Sequence, residues 1–208
     1  SRLVKDAEGR LVEEKWHVGG LYSPAIERIV YWLERAGEEA ETPAQQQVID
    51  LLTAYYRTGD LALFDRYSIA WLQDTDPCVD FVNGFIETYG DPIGMKASWE
   101  SIVNLKDQEA TRRTEIISSR AQWFEDNSPI EPRFKKKQVR GVSAKVVIAA
   151  ILAGDLYPAS AIGINLPNSN WIRARFGSKS VTIGNLTKAY SEAAKGNGFW
   201  QEFVLEEE

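Results

Sequence analysis

The chain has almost none of the residues from which proteins build metal sites and disulfide bonds. Its 208 residues include one cysteine, Cys78, and one histidine, His17. A lone cysteine excludes an internal disulfide, and a zinc site draws its three or four ligands mainly from several His and Cys residues. We therefore predict no metal site within this chain, Cys78 as a small filler of the core, and His17 as a partly buried structural histidine.

The chain also lacks a basic surplus and a long apolar run. Its formal net charge is −6, whereas nucleic-acid binders usually carry a basic stripe, so we expect no nucleic-acid partner. The basic cluster around residues 135–137 is interpreted as a solvated linker. No stretch is apolar enough for a membrane span and no signal peptide is recognisable, which predicts no membrane partner and a cytoplasmic location. Neither Ser1 nor Glu208 resembles a natural terminus, which suggests a fragment.

The first third of the chain has helical signals. Ser23 followed by Pro24 predicts an N-cap with proline in the first turn, and Thr42 before Pro43 repeats the pattern. Asp60, directly after Gly59, is positioned to cap a third helix. Apolar residues recur at helical spacing after each signal, so residues 1–75 are predicted to form a helical subdomain.

A period-two pattern follows and predicts a strand at residues 78–89, which should be largely buried because both of its faces are mostly apolar. Further strands are predicted at residues 96–105, 144–152 and 159–165. Residues 107–124 read as a helix with Ile117, Ala121 and Phe124 turned inward, and short helices are expected after Asn168 and Thr182. The predicted fold class is α+β: N-terminal helices packed with a small mixed β-sheet or barrel, plus a helical excursion. Residues 76–106 and 141–208 would form the β-rich subdomain, and residues 107–140 a helical insertion.

Polar residues at the ends of two predicted strands are the candidate site. Glu87 interrupts an apolar strand, and Tyr89 projects from the same face because alternate residues share a face. The alternative for Glu87 is a buried acid paired with an arginine or backbone amides. Asn165 and Asn168 flank a proline turn and could instead serve the turn and a helix cap. Gly163, within a strand, would let another backbone approach closely.

Three motifs occur in order along the chain: Phe-Ile-Glu-Thr-Tyr-Gly-Asp-Pro at residues 85–92, Gly-Ile-Asn-Leu-Pro-Asn at residues 163–168, and the segment at residues 180–185. Together they resemble the dipeptidyl peptidase III family of zinc metallopeptidases. The resemblance implies a two-lobed peptidase with a zinc lobe, to which residues 107–140 would belong. The family's His-Glu-x-x-Gly-His helix would follow residue 208. Zinc is therefore implied as the cofactor of a longer parent and not of this chain.

The resemblance also implies roles for the site residues. Glu87 would accept the free α-ammonium group of an oligopeptide, Asn165 and Asn168 would supply further acceptors, and Tyr89 would hydrogen-bond near the scissile carbonyl. Gly163 and its neighbours would pair with the peptide as an added strand. The implied function is the substrate-binding portion of a zinc-dependent dipeptidyl aminopeptidase, inactive without the zinc lobe as its partner. The alternative is a non-catalytic peptide-binding or scaffold module with the same fold.

Overall fold

A computed structural model describes residues 1–88, 90, 97–139, 143–158 and 160–194. The helices within these residues are α1 (Ser23–Glu38), α2 (Pro43–Thr58), α3 (Leu61–Gln73), α4 (Gln108–Ser118), α5 (Ala121–Asn127), α6 (Asn170–Phe176) and α7 (Gly184–Ala193). The strands are β1 (Arg2–Lys5), β2 (Leu11–Glu14), β3 (Val79–Glu87), β4 (Ser98–Lys106), β5 (Ser143–Gly154), β6 (Gly163–Leu166) and β7 (Lys179–Ile183).

The starts of α2 and α3 follow from short-range capping. The Thr42 hydroxyl accepts a hydrogen bond from the backbone N–H of Gln45, and the Asp60 carboxylate accepts one from Ala62. Gly59 ends α2 in the left-handed conformation at φ 67°, where a residue without Cβ is favoured. These three predictions are confirmed.

The predicted N-cap of α1 was wrong by one residue. Tyr22 occupies the cap position with a left-handed backbone and no side-chain cap bond. Ser23 is the first helical residue, and its hydroxyl accepts a hydrogen bond from Gly19 N and donates one to Glu27. The turn at residues 17–20 brings the Gly19 N–H to the Ser23 hydroxyl, a contact that the local sequence pattern did not reveal.

Two sheets are present among the described strands. β1 and β2 form an antiparallel hairpin that the helical interpretation of the first third missed. The larger sheet has the order β3-β4-β5-β7-β6, with β7 parallel to β5 and antiparallel to β6. This mixed sheet beside helices confirms the predicted α+β class.

Contacts divide the chain into two units. The first comprises residues 1–78, 83–100 and 167–178, and the second comprises residues 79–82, 101–166 and 179–208. In the first unit α1 packs on α2, α2 on α3, and α3 on α6. The apolar side chains Ile26, Val48, Leu52, Tyr56 and Trp71 are buried there. The sequence-based division into residues 1–75, residues 76–106 with 141–208, and residues 107–140 remains a prediction.

In the second unit, α4 packs against β5 through Thr111, whose buried hydroxyl bonds to the backbone of Val146. The helix predicted over residues 107–124 is interrupted between α4 and α5. Ile117 and Phe124, expected to face inward, are 60% and 49% exposed. Their helical spacing suggested a core face, but within the described residues this face is open to solvent.

Two further expectations concern single residues. Cys78 is exposed and not part of the core, because it precedes β3 in a connecting segment. His17 is partly buried, as predicted. None of the helices in the described part of the chain combines the length and apolarity that crossing a lipid bilayer requires.

Candidate functional site

Glu87 is the last residue of β3 and is partly exposed. The buried face of β3 carries Asp80, Val82 and Gly84, whereas Phe85 and Glu87 lie on the half-exposed face. The strand was predicted to be largely buried; its face that carries Glu87 is only half-buried. The Ser98 hydroxyl of β4 donates to the Glu87 carbonyl at 3.3 Å, which holds the backbone at the end of the strand.

Asn168 lies next to this strand end within the same unit. Its Nδ2 is 3.5 Å from the carbonyl oxygen of Ile86, at the long limit for a hydrogen bond. The exposed Asn168 amide thus reaches the residue that precedes Glu87, although 81 positions separate Asn168 from Glu87 in sequence. With Nδ2 turned to Ile86, Oδ1 is left as an acceptor. α6 begins at Asn170 with Ser169 at the cap position, so Asn168 is not the helix cap.

Gly163 and Asn165 belong to the second unit, where both are exposed residues of β6. The Ile183 N–H donates to the Ile162 carbonyl at 2.9 Å, and the register pairs Gly163 with Thr182. Hydrogen-bonded pairs alternate along an antiparallel ladder, so the backbone N–H and C=O of Gly163 and Asn165 point away from β7. β6 ends the strand order formed by the described residues, and these groups therefore lie along its outer edge.

Gly163 has a structural reason to be glycine. A Cβ at this position would lie 2.9 Å from the carbonyl oxygen of Val181 in β7, closer than a carbon side chain tolerates. The close backbone approach expected at Gly163 is thus found between two strands of the sheet. Tyr89, the remaining candidate, lies outside the described residues.

A partly buried hydrogen-bond network, which the sequence did not predict, fixes β3 in the first unit. The Tyr56 hydroxyl donates to Oδ1 of Asn83, and the Trp99 indole N–H donates to the Tyr56 oxygen at 2.9 Å. Burial raises the pKa of the Tyr56 phenol well above its ordinary value and that of Tyr55 to about 12. Tyr56 therefore stays a neutral donor, and it ties α2 to the strand that carries Glu87.

The first unit also contains a pocket of about 440 Å³ beside this strand. Its apolar lining comes from Trp16, Tyr55, Leu61, Phe85, Ile86 and Ala97. The Trp16 ring stacks obliquely on Phe85 with centroids 4.7 Å apart. Sequence patterns did not predict this pocket, because its walls come from segments far apart in the chain.

Buried charges occupy the second unit. Asp80 Oδ2 lies 3.3 Å from Lys179 Nζ and 3.7 Å from Lys145 Nζ. The side chains of Lys179, Lys145 and Asp80 are 0%, 6% and 12% exposed. Ions this deeply buried are stable only when they are paired, so this cluster is a structural element of the sheet. A charged residue at an alternating, otherwise apolar strand position was the sequence signal that could have found it.

The residues described do not fit a zinc site. No group of three or more His, Cys, Asp or Glu side chains within residues 1–88, 97–139, 143–158 and 160–194 is arranged to hold a metal ion. His17 and Cys78 supply one nitrogen and one sulfur ligand, fewer than zinc coordination requires.

The sequence matches one peptidase family and several of its characterised members. Residues 7–208 match the sequence model described as Peptidase family M49. Dipeptidyl peptidase 3 of Rattus norvegicus is 29% identical over 88% of this chain, and that of Mus musculus is 30% identical over 85%. The chain spans about a quarter of the length of these relatives, 24% and 23% respectively.

A solved structure has the same fold. The structure of DPP III from Caldithrix abyssi superposes with a TM-score of 0.81 at 24% identity, over 91% of this chain and 36% of that one. At this identity the likeness is evidence for the fold alone.

Proposed function

Because the chain belongs to peptidase family M49, we propose that it is the substrate-binding portion of a zinc-dependent dipeptidyl aminopeptidase, which releases dipeptides from the N-termini of oligopeptides. The observation that carries the proposal is the position of Asn168 beside the Glu87 end of β3. Zinc would be held by other parts of a longer parent. The described residues do not fit a metal site, so the roles proposed for this chain are to bind and position the peptide.

Glu87 is proposed to accept the free α-ammonium group of the peptide. Its carboxylate is partly exposed at a strand end whose backbone is held by Ser98 and Asn168. A charged acceptor in a fixed place binds an ammonium group strongly, and the Asn168 Oδ1 is proposed as a second acceptor. A fixed anion at the amino end of a groove determines how many residues extend beyond it, which would explain release of dipeptides.

The outer edge of β6 is proposed to pair with the peptide backbone. The outward N–H and C=O groups of Gly163 and Asn165 can bind an extended peptide as an added strand. The exposed Asn165 amide would contribute a further acceptor. Tyr89 is proposed to hydrogen-bond near the scissile carbonyl.

The remaining zinc lobe of the parent is the proposed protein partner. Large apolar side chains are exposed along the segment predicted to be a helical insertion: Ile116, Ile117, Trp123, Phe124, Ile130 and Phe134. Exposed apolar patches of this kind mark interaction surfaces. A partner lobe packed on this segment would remove them from water.

Binding of a short peptide before and after N-acetylation tests the role of Glu87. We expect the free amine to bind roughly 10- to 150-fold more tightly, which corresponds to about 1.5–3 kcal/mol for a hydrogen bond to a charged group. Glu87→Gln should remove most of this difference. Glu192→Gln, an exposed carboxylate on α7, is the matched control and should leave the difference in place. Equal affinity of the two peptides for the unchanged chain would contradict the proposal.

Catalysis is tested separately. Purified chain with added zinc should not cleave a dipeptidyl-arylamide substrate, because the proposal places the metal ligands in other parts of the parent. Zinc-dependent turnover by this chain alone would contradict the proposal that the metal ligands lie in other parts of the parent. A parent protein that binds peptides but never cleaves them would favour the non-catalytic module.

A further inference from the structure

Asn83 and Glu87 lie on the same, half-exposed face of β3, four positions apart. Successive residues of a strand advance by about 3.3 Å, so the two positions are about 13 Å apart along β3. The Tyr56 hydroxyl donates to Oδ1 of Asn83, and the Ser98 hydroxyl donates to the carbonyl oxygen of Glu87 at 3.3 Å. The row of side chains that ends in Glu87 is therefore held at both of its ends.

Tyr56 holds the neighbouring strand as well. Its oxygen accepts a hydrogen bond from the indole N–H of Trp99 at 2.9 Å, and Trp99 follows Ser98 directly on β4. One phenol oxygen thus joins β3 and β4 to α2, one residue away from the hydroxyl that bonds to Glu87. All of these residues belong to the first unit.

A phenol is suited to this position because its hydroxyl donates one hydrogen bond and accepts another. Tyr56 is fully buried, whereas Asn83 and Trp99 are half-buried. Burial raises the pKa of the Tyr56 phenol well above its ordinary value, so the phenol keeps the proton that it donates to Asn83. A phenylalanine ring would fill nearly the same space but could make neither bond.

We propose that Tyr56 is a positioning residue for the ammonium acceptor: its two hydrogen bonds fix the strand pair so that the Glu87 carboxylate can meet a free peptide amino group. The inference rests on the proposed function, because it takes Glu87 to bind the α-ammonium group. Binding groups work well only when they are held within about 0.5 Å of the productive geometry. Part of the preference for free amino ends then comes from a buried hydroxyl that lies out of reach of the peptide.

The test compares the binding of penta-alanine with a free and with an acetylated amino end to the purified chain. The measured quantity is the ratio of the two affinities. A loss of stability alone lowers the fraction of folded protein and reduces both affinities by the same factor, so it leaves their ratio unchanged. The ratio therefore reports on the position of Glu87 and not on stability.

Tyr56→Phe should lower the ratio roughly three- to tenfold, because a misplacement of about 1 Å can cost up to about 100-fold. Asn83→Leu removes the acceptor and should lower the ratio too; since Asn83 is half-buried, this variant should fold even if the first does not. The double variant should lose no more than Tyr56→Phe alone, because both changes remove the same hydrogen bond. The control is Val30→Ala on α1, which loses buried apolar contacts and should keep the ratio of the unchanged chain.

The outcomes separate this inference from the role of Glu87. A ratio that neither Tyr56→Phe nor Asn83→Leu lowers would overturn the inference and leave the role of Glu87 in place. An equal fall in Val30→Ala would also overturn it, because the ratio would then follow stability. A ratio near one in the unchanged chain would refute the role of Glu87 and, with it, the positioning role of Tyr56.

Discussion

Asp80→Asn should destabilise the second unit strongly, because this carboxylate is shared by two buried lysines. Asp80 Oδ2 lies 3.3 Å from Lys179 Nζ and 3.7 Å from Lys145 Nζ, and Lys145 Nζ has no hydrogen-bond partner among the described residues. Asparagine has nearly the same shape, and its Oδ1 can still accept the Phe81 N–H as Asp80 does at 2.8 Å. The substitution therefore removes the charge and leaves the packing largely intact.

The size of the effect follows from the burial of the partners. Removing one member of a buried ion pair costs about 3–5 kcal/mol, because it leaves uncompensated charge in a low-dielectric interior. The total stability of a domain is about 5–15 kcal/mol, so a loss of this size is about a fifth of it or more. With a urea m-value of about 2 kcal/mol/M, the unfolding midpoint should fall by about 2 M.

Urea denaturation followed by circular dichroism measures this loss. The matched control is Glu192→Gln, which removes the carboxylate of an exposed pair with Lys188. Exposed pairs contribute little, and the control should stay within about 0.5 kcal/mol of the unchanged chain. If Asp80→Asn also stayed within that margin, the interpretation of the cluster as a stability determinant would be refuted.

Three further predictions concern the strands and the tyrosines near the site. Gly163→Ala should cost about 1–3 kcal/mol in unfolding free energy, because its Cβ would lie 2.9 Å from the Val181 carbonyl oxygen. The control is Gly90→Ala, whose Cβ would meet no atom of the described residues within 4 Å; it should be neutral in the same urea titration. Tyr56→Phe should cost about 1–3 kcal/mol, because it removes the buried hydroxyl to which the half-buried Asn83 and Trp99 side chains both bond. Tyr31→Phe, on an exposed ring, is the control. Burial raises the pKa of Tyr55 from 10 to about 12. The free energy of unfolding should therefore be unaffected by Tyr55 below about pH 10 and should fall as the pH rises towards about 12, because the unfolded chain loses the phenol proton first. An unfolding free energy that stayed constant between about pH 10 and 12 would contradict the burial of Tyr55.

Short-range signals in the sequence were sufficient to locate the helices of the first unit. Thr42, Gly59 and Asp60 act within one helical turn, so their roles are visible in a few consecutive residues. Ser23 was misassigned because its hydroxyl found partners in the preceding turn and on its own helix. A period-two pattern located β3, and further apolar segments located β4, β5 and β6, but no strand was predicted at β7.

In the candidate site, too, the sequence identified the residues, whereas the tertiary structure determined their surroundings. Glu87, Gly163, Asn165 and Asn168 were identified from their residue types and motif order. Their surroundings depend on contacts between segments that are distant in sequence. Asn168 meets Ile86 across 82 positions, and the outward direction of the β6 backbone groups is set by the register with β7. The exposure of Cys78 and Phe124 likewise depended on which elements pack against them.

By itself, the sequence determined the α+β class, the N-caps of α2 and α3 and the family motifs, because these depend on residue type and on neighbours a few positions away. Only the tertiary structure decided the strand order, the pocket beside Glu87 and the pairing of Asp80 with two buried lysines. Each of these arises when chain segments many residues apart come into contact. Burial and pairing are properties of that contact, and a residue's own identity does not specify its partner.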